Sequence, residues 1–77
     1  MILQHIVTNP NIMVGKPVIR GTRLTVEYIL KLLGNGASVA DILDEYEGLT
    51  EEDIRACLLF AARFLQETSF IPLQETA

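Results

Sequence analysis

The sequence has little of the residue types that carry covalent or metal chemistry. Its single cysteine, Cys57, excludes an internal disulfide, which fits a reducing cytosol. No histidine stands at helical spacing from Cys57, which favours a packed thiol over a nucleophile. The single histidine, His5, lies in an apolar segment without a second histidine or cysteine nearby. A core or strand-edge position is therefore favoured for His5 over a metal site.

Larger chemical patterns are absent as well. The sequence contains no nucleophile paired with a base, no metal-ligand set and no Gly-x-x-x-x-Gly-Lys-Ser/Thr phosphate loop. The acids between residues 41 and 47 favour a solvated helix face over a divalent-metal site. We therefore expect neither an enzyme nor a protein with a metal or cofactor.

Long apolar runs are missing too. None approaches the ~20 residues that cross a bilayer, and residues 1–5 lack the basic region of an export signal. We expect a cytoplasmic protein without membrane contact.

Apolar residues are abundant for so short a chain, at 49% of 77 residues. A domain of ~60 residues buries only about 60% of its unfolded surface, so a small core cannot readily use all of this material. We expect a single domain over residues 1–69, a C-terminal tail over residues 70–77, and a homodimer or another partner that covers the surplus.

Charge divides the chain into a basic front and an acidic back. Residues 1–36 carry Lys16, Arg20, Arg23 and Lys31 against Glu27, a net charge of +3. Residues 37–77 carry two arginines against nine acids, a net charge of −7. The division argues against a general nucleic-acid binder. It permits a local anionic ligand at the front or complementary packing between copies.

Most of the basic residues lie in one stretch, from Gly15 to Val26. A glycine between two β-prone runs predicts a chain reversal, because glycine accepts positive φ without a Cβ clash. The resulting hairpin would hold two arginines at an exposed tip. Arginine binds carboxylates and phosphates bidentately; the alternative is pairing with the domain's own carboxylates, such as Glu27. The predicted anion or partner contacts are Lys16, Arg20, Gly21, Thr22 and Arg23.

The remaining pattern predicts a mostly α domain with short N-terminal strands. Residues 2–7 and 12–14 are β-prone, with a turn at Asn9-Pro10 between them. Helices are expected over residues 26–34, over residues 39–46 with Ser38 and Asp41 as a capping box, and from a cap at Thr50 to about residue 68. The expected fold is a small three-helix, helix-turn-helix-like domain of the homeodomain or winged-helix kind.

The last helix has an apolar arc of roughly 200°, wider than the ~100° stripe of an ordinary surface helix. The expected central stripe consists of Ile54, Leu58, Ala61 and Leu65, with Cys57, Phe60 and Phe64 beside it. The excess predicts a second burial surface. The predicted dimer or partner face consists of Phe60, Phe64, Phe70 and Ile71.

The two last helices have helix-turn-helix spacing. A recognition helix presents its first residues to DNA, and here these are Glu51, Glu52 and Asp53, which phosphates repel. DNA contact, if any, is therefore expected through the basic hairpin, presented twice by a dimer.

The run Gly-Lys-Pro-Val-Ile-Arg-Gly-Thr-Arg-Leu-Thr-Val-Glu over residues 15–27 resembles the signature of the bacterial domain of unknown function 433 family. The similarity extends over roughly residues 5–65. It implies a small helix-turn-helix-like fold and an antitoxin role beside a PIN-like ribonuclease toxin. The later pieces of the family pattern match Gly36, residues 38–43, Tyr46, residues 49–50 and residues 53–61.

The leading functional prediction is therefore an antitoxin of a type II toxin-antitoxin pair, a dimeric module that neutralises a PIN-like ribonuclease. The alternative is a DNA-binding transcription regulator that acts on its own promoter. A further alternative is a module that binds a phosphate ligand or nucleotide at the loop over residues 15–21.

Overall fold

Three α-helices follow a short antiparallel strand pair in the computed structural model, which describes residues 2–8, 11 and 15–67. The predicted mostly α, three-helix class is confirmed. The elements are a 3-10 helix Ile2–His5, strands β1 Ile6–Val7 and β2 Val18–Ile19, and helices α1 Val26–Gly34, α2 Val39–Glu45 and α3 Glu51–Glu67.

The strand predicted over residues 2–7 is confirmed only at its end. Ile6 pairs with Ile19 and Val7 with Val18, whereas the preceding four residues form the 3-10 helix. Before Ile6 the ladder ends at Arg20, whose N–H donates to the His5 carbonyl at 2.7 Å and whose Nε donates to the Gln4 carbonyl at 2.9 Å. These two carbonyls of the 3-10 helix are therefore satisfied by one arginine and not by a longer strand. The strand expected over residues 12–14 lies outside the described residues.

The predicted chain reversal at Gly21 is confirmed. Gly21 has φ +82°, a left-handed conformation that favours glycine. The Ile19 N–H donates to the Leu24 carbonyl at 2.9 Å, and an isolated bridge joins Val18 to Thr25. Thr25 then caps α1, because its hydroxyl accepts the Tyr28 N–H at 3.0 Å.

The helix boundaries follow the predicted capping residues. After α1, the Gly36 N–H donates to Leu33 and the Ala37 N–H to Leu32, which is the hydrogen-bond pattern of a Schellman cap. The capping box of Ser38 and Asp41 starts α2 as predicted. Thr50 starts α3 as predicted, since its hydroxyl accepts the Asp53 N–H at 3.2 Å.

The core lies between the three helices and β2. Its buried members are Ile19, Val26, Ile29, Ile42, Leu49, Ile54 and Cys57.

The apolar stripe predicted for α3 is partly wrong. Leu58 and Leu65 are exposed, while the buried face contains Ile54, Ala56 and Cys57. The 3-10 helix and β1 cover one flank of α3, and α1 covers the other. Because of these contacts, the buried face of α3 is not centred on the stripe that the apolar pattern predicts.

Candidate interaction surface

An apolar groove runs between α1 and the C-terminal half of α3, with a volume of about 630 Å³. Phe64 and Leu65 on its α3 wall keep 61% and 59% of their surface exposed. Because large apolar side chains rarely stand open in clusters, this feature is typical of an interaction site. The residues that line this apolar groove are Lys16, Pro17, Val26, Glu27, Leu30, Lys31, Phe60, Ala61, Phe64 and Leu65.

A smaller hollow of about 290 Å³ lies on the other side of α3, against the 3-10 helix and β1. Phe60 and Phe64 line both this hollow and the apolar groove, so they form the wall between the two. Phe60 is half-buried and packs against the core. Half of the predicted dimer or partner face is thus brought together, while Phe70 and Ile71 lie outside the described residues.

Two lysines and a glutamate form the rim of the groove. Lys16 Nζ lies 3.1 Å from Glu27 Oε1, and Lys31 Nζ lies 3.6 Å from Glu27 Oε2. The hydrogen bond and charge of Lys16, with the charge of Lys31, lower the pKa of Glu27. Glu27, the carboxylate that the sequence analysis considered as a partner for the arginines, is therefore paired with the two lysines.

Residues 20–23 form a turn that we call the arginine turn. Most of the predicted contact residues in it stabilise the turn itself. Arg20 donates from Nε to the Gln4 carbonyl at 2.9 Å, which ties the turn to the 3-10 helix. The Thr22 hydroxyl donates to the Ile19 carbonyl at 2.8 Å and accepts the Leu24 N–H at 3.0 Å. With Gly21 at the reversal, three of the five predicted contact residues hold the turn in shape.

The other two predicted contacts, Lys16 and Arg23, line a depression of about 310 Å³ beside the first turn of α1. Lys31 and Glu27 also line it, so three cations and one carboxylate give a net charge of +2. We call this the basic depression. Lys31 also lines the basic depression because it lies one helical turn after Glu27. The hairpin motif alone did not indicate that Lys31 would lie beside Lys16 and Arg23.

Tyr28 separates the basic depression from a second depression of about 250 Å³. The second contains Asp41, Glu45 and Tyr46, a net charge of −2, and we call it the acidic depression. The Tyr28 and Tyr46 hydroxyl oxygens are 2.5 Å apart, and the rings meet edge to face with centroids 6.1 Å apart. The hydrogen bond with Tyr28 raises the pKa of Tyr46 to about 12. The sequence carries no local signal for this pair because its partners lie on different helices.

His5 and Asp53 form a tie between the N-terminus and α3. His5 Nδ1 lies 2.6 Å from Asp53 Oδ1, and Asp53 Oδ2 accepts the Thr50 N–H at 3.0 Å. Asp53 is only 9% exposed. The position of His5 beside β1 agrees with the predicted strand-edge role, but its acidic partner was not foreseen.

Cys57 lies in the core, as predicted. Burial, followed by the charge of Asp53, raises the pKa of its thiol to about 11. A thiol of this kind is a weak nucleophile at neutral pH.

Within residues 2–8, 11 and 15–67, no cluster of three or more His, Cys, Asp or Glu side chains is placed to hold a metal. In the same part of the chain, no helix has the length and apolar content that spanning a membrane requires.

The fold and its surfaces define a small three-helix domain with an N-terminal strand pair and an open apolar groove. Comparison with known families places it more closely. The model of a family described as protein of unknown function (DUF433) matches residues 6–61, and the chain belongs to this family. The resemblance seen in the sequence is thereby confirmed.

A solved structure supports the same assignment. The chain is similar to the crystal structure of a DUF433 member protein from Anabaena variabilis, with a TM-score of 0.76 and 28% identity. The similarity covers 82% of this chain and 62% of the other, so the chain spans less than two thirds of that protein. None of the curated proteins compared with the chain matches it.

Proposed function

We propose that this protein is a non-catalytic, cytoplasmic interaction module of the antitoxin type, which as a homodimer binds and neutralises a PIN-like ribonuclease. The observation that carries the proposal is the apolar groove, whose wall includes the exposed Phe64 and Leu65. The antitoxin role itself comes from the family resemblance in the sequence.

The shape of the groove favours a helical segment of the partner. Helices α1 and α3 form two apolar walls, and an amphipathic helix places its own apolar stripe between such walls. Burying this surface is favourable by about 25 cal/mol for each Å² removed from water. The groove therefore supplies affinity without any catalytic group.

The cations at the rim favour an acidic partner. Lys16 and Lys31 border the groove, next to its apolar walls. An acidic, metal-binding ribonuclease centre would be attracted to this side of the domain, because complementary potentials steer association and set its register.

Co-expression with the protein encoded by the neighbouring open reading frame tests the proposal. We expect Phe64→Ser to weaken binding and ribonuclease inhibition at least ~10-fold, as hot-spot residues do. Leu59→Ser is the matched control, because Leu59 lies on the same helix at 44% exposure and does not line the groove.

A neighbour that is not PIN-like, with nothing co-purifying, would refute the antitoxin role. Equal losses in the two variants would show that the groove is not the binding site.

A second candidate is a regulator of its own promoter, favoured by the cations of the basic depression and opposed by Glu51 and Glu52 at the start of α3. It predicts retardation of upstream DNA that weakens with salt and in the Arg20→Ala/Arg23→Ala variant. Unchanged binding in that variant would remove the arginine turn from the interface. A phosphate ligand at the basic depression would instead raise the melting temperature in a nucleotide screen.

A further inference from the structure

We infer that the surface around Tyr28 is where two copies of this chain meet, with a two-fold axis close to Tyr28. The inference rests on the proposed function for the existence of a dimer, and it names the surface that forms it. The surface consists of the basic depression, the acidic depression and the tyrosine pair between them.

The two depressions are complementary in charge and similar in size. The basic depression has about 310 Å³ and a net charge of +2 from Lys16, Arg23 and Lys31 against Glu27. The acidic depression has about 250 Å³ and a net charge of −2 from two carboxylates. Tyr28 lines both, so opposite charges stand on either side of one aromatic ring.

A two-fold axis at such a boundary has a particular consequence. When the axis runs between the two depressions, across the line that joins them, each depression meets the opposite depression of the partner. The basic depression of one copy therefore faces the acidic depression of its partner, and the exchange occurs twice. A different protein would need to carry the reverse arrangement independently, whereas a second copy always carries it.

Several of the charges that would meet across the axis remain unbalanced within the described part of the chain. In the described part of the chain, neither Arg23 nor Glu45 forms a salt bridge, although each lines its depression. Lys16 and Lys31 share one carboxylate between them, which leaves a positive excess. An approaching copy supplies the missing partners.

The tyrosines supply the contact area at the centre. Tyr28 is 40% exposed, and its ring is held by the hydrogen bond and the edge-to-face contact with Tyr46. Side chains that are already ordered lose little entropy on association, and tyrosine is enriched among interface hot spots. The tyrosines thus provide affinity while the flanking charges fix the register.

This surface and the apolar groove are different parts of the domain. Among the described residues, they share the ridge of Lys16, Glu27 and Lys31, and Phe64 lines neither the basic nor the acidic depression. A dimer formed around Tyr28 therefore does not cover the walls of the apolar groove.

Charge reversal tests the inference through the dimer dissociation constant, measured by sedimentation at low salt. We expect Arg23→Glu and Glu45→Arg each to raise this constant at least ~10-fold, because each creates two like-charge contacts per dimer. The doubly reversed chain, Arg23→Glu/Glu45→Arg, restores the opposite charges across the axis. Its dissociation constant should return to within ~3-fold of the original.

The groove variant Phe64→Ser separates this inference from the proposed function. It should leave the dissociation constant unchanged while weakening ribonuclease binding. A monomeric native chain would overturn the inference, as would a double reversal no better than the single ones. Loss of the dimer in Phe64→Ser but not in the charge variants would place the dimer contact in the apolar groove instead. Circular dichroism of each variant confirms that the fold is retained.

Discussion

The two halves of α3 have similar apolar content and different environments on their inward face. In the first half, Ile54, Ala56 and Cys57 are at most 1% exposed, whereas Leu58 on the outward face is 48% exposed. In the second half, Phe64 and Leu65 are about 60% exposed. The same helix thus provides the centre of the core at one end and the wall of an open groove at the other.

The difference follows from the lengths of the helices. At 1.5 Å per residue, the 17 residues of α3 extend for about 25 Å, whereas the nine residues of α1 extend for about 14 Å. α1 can therefore cover only part of α3. An apolar residue near the start of α3 stabilises the fold, and an apolar residue near its end is available for a partner.

The strongest test of this comparison exchanges one residue from each half for alanine. Ile54→Ala should lower the free energy of unfolding by about 2–5 kcal/mol, since it leaves a cavity in the core. Leu65→Ala should change it by less than ~0.5 kcal/mol, as expected for an exposed site. Urea denaturation followed by circular dichroism measures both, and similar losses would contradict the division of α3.

Removing the contact between His5 and Asp53, in the first half of α3, should lower the free energy of unfolding by less than Ile54→Ala does. Asp53→Ala removes the contacts with His5 and with the Thr50 N–H, and we expect a loss of about 1–3 kcal/mol. A double-mutant cycle with His5→Ala should give a coupling energy of about 1 kcal/mol.

Glu52→Ala is the control for this prediction, because Glu52 is an exposed acid in the same helical turn. A coupling energy near zero would mean that the contact between His5 and Asp53 does not stabilise the fold in solution.

The reactivity of the Cys57 thiol also tests the difference between the two halves of α3. With a pKa of about 11, roughly 10⁻³ of Cys57 is ionised at pH 8, against roughly a tenth of a thiol with the ordinary pKa of 9.0. We expect Leu65→Cys in a Cys57→Ala chain to react with a maleimide at least ~100-fold faster than native Cys57. Equal rates would show that the first half of α3 opens readily.

The same pKa has a consequence for stability. The folded pKa is raised from 9.0 to about 11, so the folded state holds its proton more tightly than the unfolded state. This contribution is complete below pH 9 and is lost as the pH rises through 11. Cys57→Ala should therefore lose less stability between pH 8 and pH 10 than the native chain does.

Local signals in the sequence predicted much of the fold. Ser38, Thr50 and Gly21 each act through backbone groups within a few residues, so their roles as caps and turn follow from the neighbouring sequence. The inward face of α3 was harder to predict, because apolar residues surround most of the helix. Which of them are buried depends on where the 3-10 helix and α1 make contact.

The candidate surfaces, too, could be predicted only in part from the sequence. The basic stretch over residues 15–27 indicated cations near a turn, yet Arg20 became a structural contact of Gln4 while Lys31 joined Lys16 and Arg23. The pairs of Tyr28 with Tyr46 and of His5 with Asp53 join residues 18 and 48 positions apart. No periodicity or spacing rule reports contacts over such separations.

The sequence by itself determined the family, the three helices, their caps and the presence of more apolar surface than a small domain can bury. These properties depend on residue type and on neighbours along the chain. Tertiary structure alone decided which flank of α3 stays open, which cations share a depression and which carboxylates line the neighbouring one. Those outcomes depend on how far each helix extends over the next, a distance that is fixed only when the elements pack together.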